Sequence, residues 1–190
     1  GTLANGWLYH LQQQGESGIF RPVNRIDKNT SGLVLCAKNA FAAPLLAGSA
    51  HKCYLAIVQG TMPLGPGRVE APIARRGDSI IGRCVCADGK YSLTEYAVLA
   101  AGPGHSLLAC WPRTGRTHQI RVHMASTGHP LAGDAVYGPK NCIKSLNGQC
   151  LHAKELGFVH PRTGEWMQFD SPLPPYFTEF LTRLRKEHRA

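Results

Sequence analysis

Glycine and proline interrupt this chain so often that its apolar runs stay short, which favours strands joined by tight turns over long helices. The 190 residues include 21 Gly and 13 Pro, whereas 43% are hydrophobic and 17% are charged. This balance is typical of a turn-rich globular protein rather than of a disordered tail or a coiled coil. Because a chain of this length can bury a core without disulfides or metal, we predict a single domain over residues 1–190. The first residue is Gly and not Met, which leaves open a truncated amino end.

Short apolar runs between breakers predict the strands. Strands are expected at residues 33–37, 52–59 and 106–111. Residues 60–67 are rich in Gly and Pro and are expected to form a loop. Residues 79–86 and 91–99 flank the pair Asp88 and Gly89, which is a strong turn signal. These two runs are therefore predicted to form a β-hairpin.

Caps and apolar spacing predict three helices. Asn39 is expected to cap the first helix. The residues expected to face inward from it are Phe41, Leu45 and Leu46. A second helix is predicted over residues 117–126 and closed by Gly128, and a third is predicted to begin at Pro174. The apolar stripe of the third helix consists of Phe177, Phe180, Leu181 and Leu184.

The chain is basic, with 21 Lys and Arg against 12 Asp and Glu and a net charge of +9. A surplus of this size on a small chain favours a polyanionic partner, and nucleic acid is the first candidate. The alternative is a basic protein without such a partner, because net charge concerns association and not fold.

The cysteines and the apolar runs indicate a cytoplasmic protein without a membrane span. The seven cysteines form an odd set, and Cys36, Cys53 and Cys110 lie in apolar runs, where Cys behaves as a small hydrophobic residue. A reducing compartment is therefore expected. Cys84 and Cys86 are separated by one residue, which does not match a zinc knuckle. No apolar stretch reaches the roughly twenty residues that cross a bilayer.

The most informative segment is residues 20–32, FRPVNRIDKNTSG, where an apolar approach meets an aspartate and then a polar turn. Asp27 is expected on a loop held by strands. An isolated Asp in such a place often accepts hydrogen bonds from the backbone N–H groups that follow it, so a purely local role is the alternative. Asp27 is not followed directly by Thr/Ser and Gly, which is the aspartic protease pattern.

A second polar segment, residues 112–124, surrounds the start of the predicted second helix. Its three arginines are Arg113, Arg116 and Arg121. Backbone N–H groups at a helix start and guanidinium groups together favour an anion. Phosphate or a carboxylate would both fit, and a solvated basic face is the alternative.

The sequence does not predict a metal or a nucleotide cofactor. His118, His123 and His129 are separated by five and six residues, so they do not share one helical face as metal ligands. We expect them to form hydrogen bonds or to face RNA. Residues 102–104, GPG, lack the third glycine of a dinucleotide fingerprint, and the chain has no P-loop triplet.

Four motifs in order resemble the RluA-type family of RNA pseudouridine synthases. They are residues 24–33 (NRIDKNTSGL), 52–56 (KCYLA), 115–121 (GRTHQIR) and 128–134 (GHPLAGD). The likeness continues through residues 151–153, 158–164 and 171–174, so it covers most of the chain from about Arg21 onward. It implies an α+β fold with a mixed, mainly antiparallel sheet, flanking helices and a central active-site cleft. No S4 domain is identified, so a lower RNA affinity than that of longer relatives is expected.

The resemblance implies that Asp27 is the catalytic carboxylate of a uridine isomerase that needs no cofactor. Uracil must leave C1′ of its ribose, rotate and rejoin through C5, after which the C5 proton is lost. Asp27 could attack C1′ or remove the C2′ proton, and both routes need an ionised aspartate. A neighbouring guanidinium favours the charged form of a carboxylate. Arg121 is the partner that the resemblance implies, with Arg116 as the second choice.

The resemblance also implies how RNA is bound. Tyr54 is expected to stack on the uracil and to help to remove the C5 proton, although packing within a strand is the alternative. Further substrate-binding candidates are Arg25, Lys28, Arg113, Arg116, His118 and Leu151. The predicted substrate is a structured ribosomal or transfer RNA whose target base is extruded from its stack, and the protein is predicted to be a monomer.

One departure from the family pattern is Asn24, which stands where the family usually has His. The mechanism does not need that group, but substrate choice could change. Two other functions remain open. One is a noncatalytic RNA-binding or RNA-folding protein that retains the cleft. The other is a phosphate-handling hydrolase, which the sequence disfavours because it has no paired carboxylates, metal cluster or nucleophile–base pair at recognisable spacing.

Overall fold

The computed structural model describes residues 1–77, 79–139, 146 and 148–187, with side chains given as far as Thr182 in the last helix. Within them the helices α1 to α4 are Leu3–Gln13, Ala42–Ser49, Gln119–Ser126 and Pro175–Glu187. The strands β1 to β11 are Arg21–Pro22, Ser31–Gly32, Cys36–Ala37, His51–Gln59, Gly65–Glu70, Ile73–Arg75, Arg83–Val85, Leu93–Gly102, His105–Pro112, Leu151–Val159 and Trp166–Asp170.

The main sheet has the strand order β11-β10-β4-β9-β8-β5, and every pair along this path is antiparallel. Strand β2 adds to the sheet by pairing in parallel with β10. Two short antiparallel ribbons, β1 with β3 and β6 with β7, lie beside it. The predicted α+β fold with a mixed, mainly antiparallel sheet is confirmed.

The central strand β4 alternates its side chains between the two faces of the sheet, as the strand period of two requires. Tyr54, Ala56 and Val58 pack on the face covered by α3. Ile57 points to the opposite face, where Phe177 of α4 is fully buried. The loop that carries Asp27 lies on the α3 face, because Ile26 packs against the same cluster as Tyr54. This face therefore carries the site.

The predicted first helix exists as α2, but its inward face is narrower than expected. Leu46 is 5% exposed, whereas Phe41 is 74% and Leu45 44% exposed, so the inward prediction is wrong for these two residues. Asn39 accepts a hydrogen bond from the backbone N–H of Ala42 at 2.8 Å, as a cap should. Because α2 is only two turns long and packs against strand β10, it offers a single row of contacts.

The predicted strand over residues 33–37 is wrong as a continuous element. Asn24 takes the place of a neighbouring strand, because its side-chain oxygen accepts from the backbone N–H of Leu35 at 2.7 Å. Its amide donates to the backbone oxygen of Leu33 at 3.4 Å. Only Cys36–Ala37 of the run therefore forms a strand, β3, while β2 (Ser31–Gly32) precedes the run and joins a different sheet.

The predicted hairpin between residues 79–86 and 91–99 is also wrong. The turn exists, with the backbone N–H of Gly89 bonded to the oxygen of Cys86 at 2.8 Å, but β7 pairs with β6, and β8 pairs with β5 and β9. The predicted loop at residues 60–67 overlaps β5, which is one of the two strands that pair with β8. Gly and Pro are tolerated there because β5 is the last strand of the path, with one neighbour.

Of the remaining elements, some match the sequence predictions and others had not been predicted. The strand predictions at residues 52–59 and 106–111 are confirmed by β4 and β9, and the last helix begins one residue after Pro174. The side chain of Leu184 lies outside the described part of the chain. Helix α1 and strands β10 and β11 had no sequence prediction.

The cysteines whose structure is described are free thiols, and Cys142 lies outside that set. Cys110 is fully buried in the cluster beneath Tyr54, which suits the predicted role of a small hydrophobic residue. Cys36 and Cys53 are half-buried. Burial raises the pKa of Cys53 to about 11, so this thiol is protonated at neutral pH.

Stability is expected to fall in mild acid because His123 is buried as a neutral imidazole. Its Nε2 lies 3.0 Å from the backbone oxygen of Ala71, its Nδ1 lies 2.9 Å from Oγ1 of Thr94, and burial lowers its pKa from 6.5. The unfolded chain then binds more protons than the folded one as pH falls below about 6.5. The loss of stability therefore begins near the pKa of His123 in the unfolded chain and continues as pH falls through its lower pKa in the folded protein.

Urea unfolding at several pH values between 7.5 and about 5 tests this expectation. His123→Gln should reduce the slope of stability against pH, because the amide can keep the bond to Ala71 without titrating. His10→Gln is the matched control, since His10 is exposed. An equal slope in wild type and His123→Gln would contradict the expectation.

Candidate active site

A cavity of about 350 Å³ opens on the α3 face at the middle of the sheet. Its volume lies in the range of about 300–1,000 Å³ that is usual for small-ligand sites. Tyr54 on β4 and Leu151 at the start of β10 form its floor, and Asp27 and Arg121 line its wall. The segments that surround it are residues 22–27, 112 and 114–121. The predicted central cleft is therefore present.

Gly32 allows the Asp27 loop to dock closely on the sheet. Its φ is +104°, and a Cβ there would lie 2.2 Å from the backbone oxygen of Ala153, so a larger residue cannot be accommodated. The next residue, Leu33, donates its backbone N–H to the same oxygen at 3.0 Å. At the other end of the turn, the N–H of Thr30 bonds to the backbone oxygen of Asp27 at 2.9 Å. The loop therefore holds the carboxylate at the cavity wall.

Arg121 lies between two carboxylates. Its Nη1 donates to Oδ2 of Asp27 at 3.1 Å, while Nε and Nη2 donate to the two oxygens of Asp134 at 2.7 and 2.9 Å. The side chains of Asp27, Arg121 and Asp134 are 16%, 6% and 0% exposed, so Asp27 is the carboxylate that is accessible from the cavity.

Charge pairing outweighs burial in this group. Burial by itself would lower the pKa of Arg121, but Asp134 and then Asp27 raise it. Burial would likewise raise the pKa of Asp134, yet the hydrogen bonds and charge of Arg121 and the backbone N–H groups of Val136 and Tyr137 lower it. All three groups therefore keep a charged partner inside the fold.

The predicted second helix begins at Gln119, two residues later than expected. His118 has a φ of +58°, outside the right-handed helical region, so the helix cannot extend back past Gln119. The Gln119 side chain secures this start: its oxygen accepts from Oγ1 of Thr114 and from the N–H of Arg116 at 2.6 and 3.0 Å. Its amide donates to the backbone oxygen of Leu93 at 2.9 Å. The turn before α3 is thus tied to strand β8.

His118 faces the second oxygen of Asp27. Its Nε2 lies 4.0 Å from Oδ1 of Asp27, and its Nδ1 lies 2.8 Å from the hydroxyl of Tyr137. Burial and then the charge of Arg121 lower the pKa of His118, so the imidazole is neutral near pH 7. The contact with Asp27 is therefore not a salt bridge between full charges at that pH.

Tyr54 is 7% exposed and presents its side chain to the cavity. Burial raises its pKa to about 12, a hydrogen bond with Asn24 opposes the rise, and the charge of Asp27 adds to it. The phenol is therefore neutral at physiological pH. Asn24 thus contacts both the Leu33 segment and the site tyrosine.

The other predicted site residues are distributed around the opening. Arg25, Arg116 and Leu151 line the cavity, and the first two are exposed. The Nε of Arg116 donates to the backbone oxygen of Tyr91 at 3.1 Å, so it is Arg121 that the fold brings to Asp27. Lys28 is exposed on the same loop as Asp27. Arg113 is exposed and pairs with Glu95, Nε to Oε2, at 2.8 Å.

Four residues of the site had no predicted role. Asp134 and Tyr137 lie in or just beyond the fourth motif, Lys52 begins the second and Gln119 lies within the third. Lys52 lines the cavity, and burial lowers its pKa. The place of Asp134 in the fourth motif could have indicated its role, because a carboxylate there can pair with Arg121.

Over the described ranges, no group of three or more His, Cys, Asp or Glu is placed to hold a metal ion. None of the helices in the same ranges is both long enough and apolar enough to span a bilayer.

The chain is similar to known RNA pseudouridylate synthases. Residues 2–126 match the family described as RNA pseudouridylate synthase. The "Uncharacterized RNA pseudouridine synthase YlyB" of Bacillus subtilis (strain 168) is 44% identical over 194 residues, which cover 98% of this chain and 64% of that protein. "Ribosomal large subunit pseudouridine synthase D" of Zymomonas mobilis is 41% identical over 191 residues, which cover 91% of this chain and 60% of that protein.

Among solved structures, "Human RNA Pseudouridylate Synthase Domain Containing 1" superimposes with a TM-score of 0.69 and 27% identity, covering 87% of this chain and 80% of that one. This chain spans less than two thirds of the length of the curated relatives named above. The family match nevertheless covers residues 2–126 of 190, including Asp27, Tyr54 and Arg121. From its motifs, fold and relatives, the chain belongs to the RluA-type RNA pseudouridylate synthase family.

Proposed function

We propose that this chain converts selected uridines of a structured RNA to pseudouridine, with Asp27 as the catalytic carboxylate. The observation that carries the proposal is the accessible carboxylate of Asp27, held by the buried guanidinium of Arg121 at 3.1 Å in a cavity that Tyr54 also lines. Ribosomal RNA is the first substrate class to test, because a relative is named as a ribosomal large subunit synthase. Transfer RNA is the second.

The reaction is an isomerisation and needs no external reagent. The bond from C1′ to N1 of uracil breaks, a bond from C1′ to C5 forms, C5 loses a proton and N1 gains one. Asp27 attacks C1′ or removes the proton from C2′, and both routes need an ionised carboxylate. Arg121 supports that form by hydrogen bonding and by charge, and the ion pair also fixes the direction of the carboxylate.

Tyr54 is assigned to contact with the uracil ring. The pKa of the Tyr54 phenol is raised to about 12, so the phenol is protonated at neutral pH and its ring is the group assigned to the uracil. Its side chain lines the cavity, where an aromatic face can pack against a base. Leu151 extends this apolar surface.

The RNA must deliver an extruded base to the cavity, since a stacked uridine cannot reach Asp27. Extrusion costs roughly a few kcal/mol, which contacts to phosphate and base offset. Arg25 and Arg116 are exposed at the cavity, and Lys28 is exposed nearby on the Asp27 loop. We assign these three side chains, together with His118 and Arg113, to contacts with the RNA.

The test is incubation of the chain with unmodified ribosomal and transfer RNA transcripts, followed by chemical mapping of pseudouridine. New sites are the expected result, and their positions identify the substrate. RNA binding that weakens with salt but yields no pseudouridine would favour the noncatalytic RNA-binding function. A parallel reaction with a chelator separates the metal-dependent hydrolase, because pseudouridine formation should persist while the RNA remains folded.

A further inference from the structure

Tyr137 contacts both groups that face Asp27, although the side chains lining the cavity do not include it. Its hydroxyl lies 2.8 Å from Nδ1 of His118. The guanidinium carbon of Arg121 lies 5.1 Å from the centre of its ring, a cation–π distance. Tyr137 therefore lies outside the cavity lining but contacts two side chains that face Asp27.

Tyr137 is itself held at both ends. Its backbone N–H donates to Oδ1 of Asp134 at 3.1 Å, so the carboxylate that fixes Arg121 also fixes the tyrosine backbone. Its hydroxyl accepts the backbone N–H of Arg83 on strand β7 at 2.9 Å. The tyrosine thus joins the β6–β7 ribbon to the turn before α3.

The hydrogen bonds assign a proton position to His118. Because the Tyr137 hydroxyl already accepts from Arg83, its single hydrogen is available to Nδ1 of His118. A neutral imidazole whose Nδ1 accepts a hydrogen bond carries its proton on Nε2. That nitrogen lies 4.0 Å from Oδ1 of Asp27. An N–H dipole then faces one carboxylate oxygen while Arg121 binds the other.

The backbone conformation at His118 supports a functional role for the contact between His118 and Asp27. His118 has a φ of +58°, and among the described residues it is the single non-glycine residue with a positive φ. Left-handed backbone is unfavourable for a residue with a side chain and is often retained at functional sites. The conformation here directs the imidazole between Asp27 and Tyr137, with the two rings edge to face at 5.6 Å.

We propose that Tyr137 is a positioning residue for the reaction: its hydroxyl sets the tautomer and orientation of His118, and its ring steadies Arg121. Each oxygen of Asp27 then faces an N–H group. The inference rests on the proposed function for its kinetic consequence. The tautomer of His118 is a property of the free protein and can be measured without a substrate.

The first measurement is a two-dimensional ¹H–¹⁵N spectrum of the histidine rings near pH 7.5, with His118 assigned from the signals lost in His118→Gln. Wild type should show His118 as the Nε2–H tautomer. In Tyr137→Phe, which keeps the ring on Arg121 but removes the hydroxyl, a mixture of tautomers is expected. The dispersion of the other signals reports whether the variant is folded.

The second measurement is turnover on the RNA identified by mapping. Loss of one oriented hydrogen bond should lower kcat about tenfold in Tyr137→Phe and leave KM within about twofold, because the hydroxyl does not contact the substrate. Tyr137→Leu also removes the ring and should lower kcat further. Tyr96→Phe is the matched control, since Tyr96 lies on β8 and is not among the residues that line the cavity. It should retain wild-type kcat.

A double variant tests whether Tyr137 acts through His118. The kcat of His118→Gln combined with Tyr137→Phe should equal that of His118→Gln alone. An unchanged His118 tautomer in Tyr137→Phe, a kcat loss no greater than that of Tyr96→Phe, or full additivity in the double variant would each overturn the proposal. If wild type modifies no RNA, the proposed function fails, whereas the tautomer comparison still decides the role of the hydroxyl.

Discussion

Asp27→Asn is expected to lower turnover by at least about 10³-fold, since an amide can neither attack C1′ nor accept the C2′ proton. The change keeps the size of the side chain, and its oxygen can still accept from Nη1 of Arg121, which lies 3.1 Å from Oδ2 of Asp27. The fold should therefore be preserved. Pseudouridine formed per minute on the mapped RNA, with enzyme in excess, measures the effect.

A charge-matched control separates chemistry from RNA binding. Asp170→Asn removes the same charge from an exposed residue that pairs with Lys154, with Nζ 2.7 Å from Oδ2. Both variants should bind RNA at least as tightly as wild type, because each adds one unit of net positive charge. Only the Asp27 variant should lose turnover. Activity of Asp27→Asn within tenfold of wild type would exclude Asp27 as the catalytic carboxylate.

Arg121→Met is expected to remove both activity and much of the stability. Asp134 is fully buried, and without Arg121 it keeps only the backbone N–H groups of Val136 and Tyr137, each near 3 Å. Leaving a buried charge without its partner costs about 3–5 kcal/mol. We expect the lower end of that range, because these two bonds remain. Urea unfolding of the wild type and the variant gives the difference.

A paired variant distinguishes the structural role of Arg121 from its role at Asp27. Replacing Asp134 as well, in Arg121→Met with Asp134→Asn, removes the unpaired buried charge, keeps an oxygen for the N–H groups of Val136 and Tyr137, and should recover much of the lost stability. Turnover should stay low, since Asp27 still lacks its guanidinium. If the double variant is as unstable as the single one, the cost does not come from Asp134. If it regains activity, Arg121 is not needed by Asp27.

Local patterns in the sequence were sufficient for several elements. Strands β4 and β9 follow from short apolar runs between breakers, and α4 follows from Pro174 and the spacing of Phe177 and Phe180. These predictions succeeded because burial on one face, or on both, leaves a periodic signal in neighbouring residues. The hairpin at Asp88 and Gly89 failed because a turn signal indicates a reversal of the chain and not which strands pair afterwards.

The motifs identified Asp27, Tyr54 and Arg121 as candidates before any contact was known. Chemistry and family resemblance were enough for that, since each motif is a continuous run of residues. The choice between Arg121 and Arg116 needed the fold. Both are basic and five residues apart, but helix α3 directs Arg121 to Asp27, while the Nε of Arg116 bonds to the backbone of Tyr91.

The sequence by itself determined the family, the basic character of the chain and the candidate residues for the proposed reaction. Only the tertiary structure decided that Asp134 binds Arg121, that Asn24 bonds to the backbone of the run after Asp27, and that the Tyr137 hydroxyl contacts His118. The physical reason is distance along the chain. Asp27 and Arg121 are 94 residues apart, and such contacts depend on how strands and helices pack and not on any local pattern.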